Sequence, residues 1–342
     1  RSLVGSEMCI RDRQQQRLDE AYAFCEAVCR NASTTFYSSF SALNIDKRRA
    51  VHAVYALCRW VDDIVDGDEE PTILETKELR EATEARQLIV SELHAGASPS
   101  LSPDEHRRRM MALVDIRLKL ERASEQNIGE DDHPIFVALQ DVFTRYPIQL
   151  TDFETVIEGM EDDLYPVHNQ TWDELRSYCY KVASAVGLIL IEIYGYEDRA
   201  ARLHAIDLGI QMQLINVLRD INEDMERGRV YLPVDVLASH NISVDLLLTE
   251  NIANTLAWQS FVVEYVDVIK RHQTSANQLF GFLDGRARVQ PEIMADAYTS
   301  ILNEIVRRSG DVFTHPVKLS WVRKALLGLR LSLRKARARL FA

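Results

Sequence analysis

The sequence predicts an all-α protein that forms a single helical domain. Apolar residues recur every three or four positions through most of the chain, as they do from Trp172 to Ile193, and no clean alternating run predicts a β-strand. The 342 residues are 46% hydrophobic with only 13 glycines and 9 prolines, which suits one large helical core. Polar segments at 96–103 and 121–133 are typical of loops between helices.

The first helix with a clear functional face ends in an aspartate cluster. Spacings of three and four place one polar strip along this helix, formed by His52, Tyr55, Arg59, Asp62 and Asp66. Asp62 and Asp66, the first aspartate pair, project from the same face with Cβ atoms about 5–6 Å apart. Gly67 is expected to end the helix.

A second helix repeats this arrangement. Asp220 and Asp224, the second aspartate pair, again lie at i and i+4, with Arg219 beside them. Its polar strip contains Gly209, Gln213, Asn216, Asp220 and Asp224, and a neighbouring apolar face contains Leu203, Ile206, Ile210, Leu214, Val217 and Ile221. Gly209 leaves room for a bulky group near the backbone, at about 1 kcal/mol of helix propensity relative to alanine. Gly228 is expected to end this helix.

The two aspartate pairs together predict a divalent metal site. One pair alone is typical of a solvated acidic face, and a surface salt-bridge ladder would also place arginines among aspartates. Neither alternative explains the uncharged Tyr55, Gln213 and Asn216 in the same strips. Carboxylate oxygens suit Mg²⁺, with Mn²⁺ as an alternative ion, and Mg²⁺ is typically shared with substrate phosphates. Since arginine forks suit phosphate oxygens, we expect a site for diphosphate departure.

Four segments resemble the squalene/phytoene synthase family. Residues 55–67 are similar to its first aspartate-rich motif, and residues 213–224 with 227–233 are similar to its second. Residues 33–37 resemble its diphosphate-contacting segment and residues 178–187 its cavity-lining helix. The resemblance spans roughly residues 20–310. It implies an isoprenoid-synthase helical bundle with a central active-site cavity.

The implied activity is a head-to-head condensation of two allylic prenyl diphosphates. It proceeds through a cyclopropylcarbinyl diphosphate to a squalene-, dehydrosqualene- or phytoene-type product, with Mg²⁺ assisting diphosphate ionisation. By motif position, the implied metal ligands are Asp62, Asp66, Asn216, Asp220 and Asp224. Tyr55 and Arg59 join the aspartates as catalytic residues. The implied diphosphate contacts are Ser33, Thr35, Tyr55, Arg59, Gln213, Arg219, Arg229 and Tyr298, and further implied substrate-binding residues are Phe36 and Tyr231.

The hydrocarbon tails require an apolar tunnel that shields a carbocation from water. The resemblance assigns its wall to Tyr178, Val182, Val186 and Gly187. Aromatic faces stabilise positive charge without acting as nucleophiles, and we expect this of Phe36, Tyr55 and Tyr178. No nucleophile elbow, P-loop or dinucleotide fingerprint points to another chemistry.

Chain length divides the family between two farnesyl diphosphates, giving thirty-carbon products, and two geranylgeranyl diphosphates, giving phytoene. Phe40 and His52 align with the end of the tunnel. The bulky Phe40 resembles the thirty-carbon pattern, whereas His52 replaces a larger aromatic expected in some such members. The sequence leans slightly towards farnesyl diphosphate, with phytoene synthesis as the alternative. NADPH is required only if the product is squalene.

Two other functions are compatible with parts of this sequence. A head-to-tail elongase or a terpene cyclase shares the fold, but the long arginine-containing second motif fits those families poorly. A non-catalytic assembly factor for respiratory complexes would be expected to lose metal-binding aspartates. All four are present, together with Asn216, Arg59 and Arg219. We therefore favour the enzyme.

Composition bounds the partners and the location. A net charge of −12 argues against nucleic acid. Five cysteines form no metal framework and indicate free thiols in a reducing compartment, hence a cytoplasmic protein with a membrane-peripheral alternative. No apolar run approaches the roughly 18–20 residues that cross a bilayer.

The two ends of the chain differ from the middle. Residues 1–13 resemble translated adapter read-through and are interpreted as a non-native or disordered extension without a secretory core. Residues 14–322 form the catalytic domain. Residues 323–342 form a basic amphipathic tail, which either rests on an anionic membrane or lies in solvent.

Overall fold

The computed structural model describes residues 2–70, 73–94, 101–129, 132–166, 169–247 and 252–340. These ranges contain α-helices joined by short connections and one isolated bridge, between Tyr196 and Leu283. The all-α prediction is confirmed. In chain order the helices are α1 Ser2–Ala32, α2 Thr34–Phe40, α3 Ile45–Asp66, α4 Lys77–Leu93, α5 Pro103–Ser124, α6 Pro134–Arg145, α7 Leu150–Asp162, α8 Trp172–Cys179, α9 Ala185–Tyr194, α10 Ala201–Arg219, α11 Ile221–Glu226, α12 Val234–Ser239, α13 Val244–Leu247, α14 Leu256–Ala276, α15 Val289–Arg307 and α16 Trp321–Leu340.

Two hydrophobic cores hold this bundle together. The first lies among α1, α3, α5, α6, α7 and α9 and includes the buried Phe136 and Phe153. The second lies among α10, α14 and α15 and includes the buried Trp258 and Phe261. Helix α10 also packs against α9, so it connects the two cores.

The structure caps both ends of α3, and its C-terminal end lies where the sequence predicted. The side chain of Asn44 accepts a hydrogen bond from the Lys47 N–H at the start of the helix, as N-cap asparagines do. Gly67 ends the helix directly after Asp66, with a φ of 82° that glycine adopts without strain. The first aspartate pair therefore occupies the last turns of a capped helix.

The second motif differs from the continuous helix that we predicted. Helix α10 ends at Arg219, Asp220 has φ −103° and ψ 15°, and α11 begins at Ile221. The Asp224 N–H still donates to the Asp220 carbonyl over 2.9 Å, so the second aspartate pair remains one turn apart. Gly228, with a φ of 76°, follows the end of α11 as expected.

Gly209 lies where α10 crosses a π-helical segment, Tyr180–Ser184, between α8 and α9. A Cβ at this position would lie 2.6 Å from the Cα of Ser184 and 2.7 Å from its backbone nitrogen. The bulky group predicted next to Gly209 is therefore the backbone of a neighbouring helix. Within the predicted apolar face of α10, Leu203 is an exception because it is 65% exposed.

Two further expectations need correction. Helix α5 continues to Ser124 and so occupies the start of the loop predicted at 121–133, while residues 96–100 of the other loop lie outside the described ranges. One stretch, Trp172–Tyr194, does have the length and apolarity of a membrane span. Half of it is buried in the protein, where it packs against α7 and α10, and core helices of soluble proteins have the same composition.

Helices also form the two ends of the described chain. Helix α1 begins at Ser2, and the interpretation of residues 1–13 as non-native stays a prediction. Helix α16 packs against α15, where the buried Leu331 joins Val289 and Ile293. The amphipathic helix predicted for the tail is thus present.

Candidate active site

The two aspartate pairs line one polar cavity of about 520 Å³, as their common spacing had predicted. Asp62 and Asp66 reach it from the end of α3, and Asp220 and Asp224 reach it from the break between α10 and α11. The rest of the wall consists of Phe36, Arg59, Asp68, Met160, Asp163, Tyr178, Val182, Gln213, Asn216, Val217, Arg219, Glu223, Arg227, Arg229 and Tyr231.

Arginines pair with the aspartates around this polar cavity. Asp66 accepts a hydrogen bond from Arg229 over 2.8 Å and another from Arg227 over 2.7 Å. Arg219 Nε donates to Asp220 over 2.6 Å, and Arg59 donates to Asp62 over 3.2 Å and pairs with Asp63. Sequence reasoning missed Arg227, although it stands two positions from Arg229 in the second motif. A diphosphate that enters the cavity meets guanidinium groups already held in position.

Two carboxyl groups in this cavity have raised pKa values. Burial, followed by repulsion from Asp66, raises the pKa of Asp62 to about 6. Burial, followed by repulsion from Asp220, raises the pKa of Asp224 to about 7. In each pair, the two carboxylates repel each other in a partly buried place. A bound cation would reduce this repulsion.

The oxygen atoms fit a hard divalent cation. The buried Oδ1 of Asn216 has no hydrogen-bond partner among the described residues, and it lies one turn before Asp220 in the cavity wall. In the described part of the chain, no three carboxylate, histidine or cysteine side chains already converge on one point. A Mg²⁺ ion held here would therefore take only a few of these oxygen ligands and would complete its shell with water and substrate phosphate.

An apolar cavity of about 280 Å³ adjoins the polar cavity. Phe36, Val182, Gln213 and Asn216 line both. Deeper in the apolar cavity, the walls come from α9, α10 and α15, and the lining residues include Val186, Gly187, Leu190, Ala205, Leu208, Met212, Met294 and Tyr298. Three of the four residues predicted to line a hydrocarbon tunnel, Val182, Val186 and Gly187, are among them.

Tyr178 is the fourth, and it lies in the polar cavity instead. Its hydroxyl donates to Asp163 over 3.0 Å, while the hydroxyl of Tyr231 donates to the other oxygen of Asp163 over 2.6 Å. The two rings stack with centroids 4.6 Å apart. Burial raises the pKa of Asp163 to about 6. Sequence reasoning missed Asp163 because it has no acidic partner at i±4 and belongs to neither motif.

Residues 33–37, which the resemblance assigned to diphosphate contact, contribute less directly to the polar cavity than expected. Ser33 caps α2, and its Oγ accepts from the Phe36 N–H over 3.3 Å. Thr35 lines a neighbouring cavity of about 390 Å³, whose wall also contains Arg219 and Asp220. The two residues thus lie beside the polar cavity rather than in its wall.

Three predicted residues lie one layer behind the cavity walls. Tyr55 packs its ring against Phe36, with centroids 5.7 Å apart, and is absent from the lining of both cavities. Phe40 and His52 are 1% exposed and contact each other, with ring centroids 5.8 Å apart. Neither lines the apolar cavity, so their position at the end of the tunnel stays a prediction.

Known proteins with similar sequences and structures agree on one family. A sequence profile described as squalene/phytoene synthase matches residues 29–323. Phytoene synthase 2, chloroplastic, from Solanum lycopersicum is 30% identical over 315 residues, which cover 90% of this chain and 89% of that protein. The 15-cis-phytoene synthase of Synechococcus elongatus is 29% identical over 308 residues, covering 86% of this chain and 87% of that protein.

The fold agrees as well. A crystal structure of a dehydrosqualene synthase in complex with ligand superposes with a TM-score of 0.73 at 24% identity, and the match covers 94% of this chain and 98% of that chain. The profile match extends over most of the chain and includes both aspartate-rich motifs. The chain therefore belongs to the squalene/phytoene synthase family of head-to-head prenyltransferases.

Proposed function

We propose that this protein joins two geranylgeranyl diphosphates head to head, through a cyclopropylcarbinyl diphosphate, to a phytoene-type product. The observation that carries the reaction is the shared wall between the polar and the apolar cavity. A diphosphate beside the aspartates and arginines has its hydrocarbon tail in an apolar space next to it. The charged leaving group is thereby kept in the polar cavity, and the carbocation is kept beside the apolar cavity.

The residues of the polar cavity divide this work. Asp62, Asp66, Asn216, Asp220 and Asp224 would hold Mg²⁺, or Mn²⁺ in its place. A bound ion supplies neutralisation of the charge that develops on the departing diphosphate. Arginine side chains add hydrogen bonds to the phosphate oxygens, and these donors are Arg59, Arg219, Arg227 and Arg229.

Phe36 lies at the boundary between leaving group and carbocation. Its ring lines both cavities, and it is backed by Tyr55 and Phe40, with centroids 5.7 and 6.2 Å away. An aromatic face at this boundary stabilises positive charge on the reacting carbon. The apolar wall beyond it excludes water, which would otherwise capture the cation.

The proposed chain length rests on the relatives rather than on the tunnel. Two similar proteins are named phytoene synthases. The contrary lean towards farnesyl diphosphate rested on Phe40 and His52, which lie behind the cavity wall. Since a phytoene-type product requires no reduction, NADPH is not part of this proposal.

The test is turnover by the purified protein with Mg²⁺ and either farnesyl or geranylgeranyl diphosphate. We expect a phytoene-type hydrocarbon from geranylgeranyl diphosphate, and loss of turnover in Asp62→Asn and Asp220→Asn proteins with unchanged circular dichroism. A preference for farnesyl diphosphate overturns the chain length. Head-to-tail or cyclic products overturn the proposed head-to-head reaction. The absence of turnover with either substrate favours the alternative of a non-catalytic assembly factor.

We also propose that the outer face of α16 rests on an anionic membrane surface. Four apolar side chains recur there every three or four positions and are 45–61% exposed: Val322, Leu326, Leu329 and Leu333. The helix carries arginines and lysines but no acidic residue, although the whole chain is acidic. An exposed apolar stripe on a basic helix fits an anionic bilayer, which would also receive an apolar product.

Vesicle co-sedimentation tests this second proposal. The double variant Leu326→Glu with Leu333→Glu should lose binding to vesicles that contain phosphatidylserine. The matched control is Val263→Glu on α14, which changes a side chain that is 64% exposed but lies outside the stripe. Equal binding by both variants, or no binding by the unmodified protein, rejects the proposal. The cytoplasmic location expected from the cysteines stays a prediction.

A further inference from the structure

A buried group of hydrogen-bonded polar side chains closes one end of the apolar cavity. The hydroxyl of Tyr194 donates to Gln290 Oε1 over 2.7 Å, and Gln290 Nε2 donates to Ser39 Oγ over 3.3 Å. Ser39 Oγ in turn donates to the backbone carbonyl of Phe36 over 2.7 Å. The three side chains are at most 3% exposed, and Tyr194 and Gln290 line the cavity.

This group lies at the end of the cavity farthest from the aspartates. The helical stretch from Val182, at the polar cavity, to Tyr194 rises about 18 Å at roughly 1.5 Å per residue. Helix α15 leads in the same way from Tyr298, beside Arg219, to Gln290. Two of the walls thus end at members of the same hydrogen-bonded group.

The hydrogen bonds make this end of the cavity resistant to displacement. A hydrocarbon chain that pushed Tyr194 aside would separate its hydroxyl from Gln290 in a buried place and offer no replacement donor or acceptor. The backbone of Tyr194 is also held, because its carbonyl accepts from Lys47 Nζ over 2.6 Å. A tail that reaches the ring therefore meets a fixed wall.

We infer that Tyr194, held by Gln290 and Ser39, limits the length of the prenyl chain that this enzyme accepts. The inference rests on the proposed function, since it takes the apolar cavity as the site of the prenyl tail. It assigns chain length to residues outside both aspartate-rich motifs. It adds to Phe40 and His52, whose role in chain length stays a prediction because neither lines the cavity.

The test compares prenyl diphosphates of fifteen, twenty and twenty-five carbons. In Tyr194→Leu, the ratio of kcat/KM for the longest substrate to that for the preferred one should rise about tenfold or more, as expected when a hydrophobic pocket gains room. Gln290→Ala keeps the ring but removes its partner. It should shift the ratio in the same direction, and it provides the test if Tyr194→Leu does not fold.

Phe136→Leu is the matched control, because it shortens a fully buried aromatic residue of α6 that lines neither cavity, and it should leave the preference unchanged. An unchanged ratio in both folded Tyr194 and Gln290 variants overturns the inference, as does an equal shift in Phe136→Leu. Binding of unreactive S-thiolo diphosphate analogues of the same three lengths, measured by calorimetry with Mg²⁺, separates this result from the reaction itself. If Tyr194→Leu binds the longest analogue better than the unmodified protein does, and the unmodified protein shows no turnover, the inference is supported and the proposed function is rejected.

Discussion

Arg229 donates a hydrogen bond to Asp66 over 2.8 Å, although 163 residues separate them in the chain. Both side chains are only 10% exposed. Arg227 donates to the other oxygen of Asp66 over 2.7 Å, so the turn that follows α11 grips the last residue of α3 from two sides. This contact joins the two aspartate-rich motifs and fixes guanidinium groups at the wall of the polar cavity.

Replacing Arg229 with alanine should lower kcat/KM on the order of a hundredfold, the scale seen when one preorganised donor to a developing anion is lost. The substitution also leaves Asp66 with Arg227 as its remaining arginine partner. Steady-state kinetics with the preferred diphosphate measure the effect. Arg307→Ala is the control, because Arg307 is 67% exposed and its pair with Glu304 is a surface ion pair of small worth. Full activity of Arg229→Ala would contradict the assigned role.

The raised carboxyl pKa values predict how stability depends on pH and Mg²⁺. The folded state holds the pKa of Asp62 at about 6 and that of Asp224 at about 7, above the usual 3.8. The folded state therefore binds more protons than the unfolded state, and stability contributed by these groups falls as pH rises from about 4 through 7. Solvent screens part of the effect at Asp62, whose side chain is 41% exposed.

We therefore expect Mg²⁺ to raise the melting temperature more at pH 7.5 than at pH 5.5, since ionised carboxylates bind the ion. Asp224→Asn should be more stable than the unmodified protein at pH 7.5 without added metal, and Mg²⁺ should stabilise it less. Differential scanning fluorimetry with Mg²⁺ or EDTA at both pH values measures these shifts. An equal Mg²⁺ effect at both pH values, or in both proteins, would be inconsistent with metal binding at the second aspartate pair.

The helix α3 and its polar strip could be predicted because both depend on local spacing. Residues at i, i+3 and i+4 share a helix face wherever the helix forms, and Gly67 ends the helix through its own backbone preference. The sequence also predicted that the two aspartate pairs meet in one site. A solvated acidic face would explain either pair alone, but it would not explain the uncharged polar residues beside both pairs. Family resemblance then supplied the reaction that spacing alone left open.

Other features depend on contacts between distant segments. The break at Asp220 separates α10 from α11 although the helical spacing continues through it. Asp163 becomes part of the site only because α8 and the segment before α12 bring Tyr178 and Tyr231 to it. The sequence predicted space for a bulky group beside Gly209, and the backbone of Ser184 fills that space. No local pattern in α10 shows whether a neighbouring helix or a ligand lies there.

Asp163→Asn should impair the reaction without abolishing folding. An amide presents one acceptor oxygen where the carboxylate presents two, so one of the hydroxyls of Tyr178 and Tyr231 loses its acceptor and the stacked rings lose their alignment. We expect turnover to fall about tenfold and the share of prenyl alcohols, formed when water captures the cation, to rise. Product analysis by gas chromatography measures both. Tyr178→Phe should raise the alcohol share similarly, and an unchanged product ratio in both variants would exclude a role for Asp163 in positioning these rings.

Gly209→Ala should destabilise the fold by about 1–3 kcal/mol, as overpacking in a well-packed interior does. The added Cβ would meet the backbone of Ser184 at 2.6–2.7 Å, and that backbone belongs to the π-helical segment whose Val182 and Ala183 line the apolar cavity. Since Ser184 is also tied to α10 through its Oγ, which donates to the Ile206 carbonyl over 2.7 Å, the segment cannot move away without losing that bond. Gly328→Ala on α16 is the control: nothing lies within 4 Å of its added Cβ, so it should stabilise the protein slightly through helix propensity. Urea unfolding of the three proteins compares their free energies, and a Gly209→Ala protein as stable as the unmodified one would show that the segment yields, in which case the close approach does not fix the cavity wall.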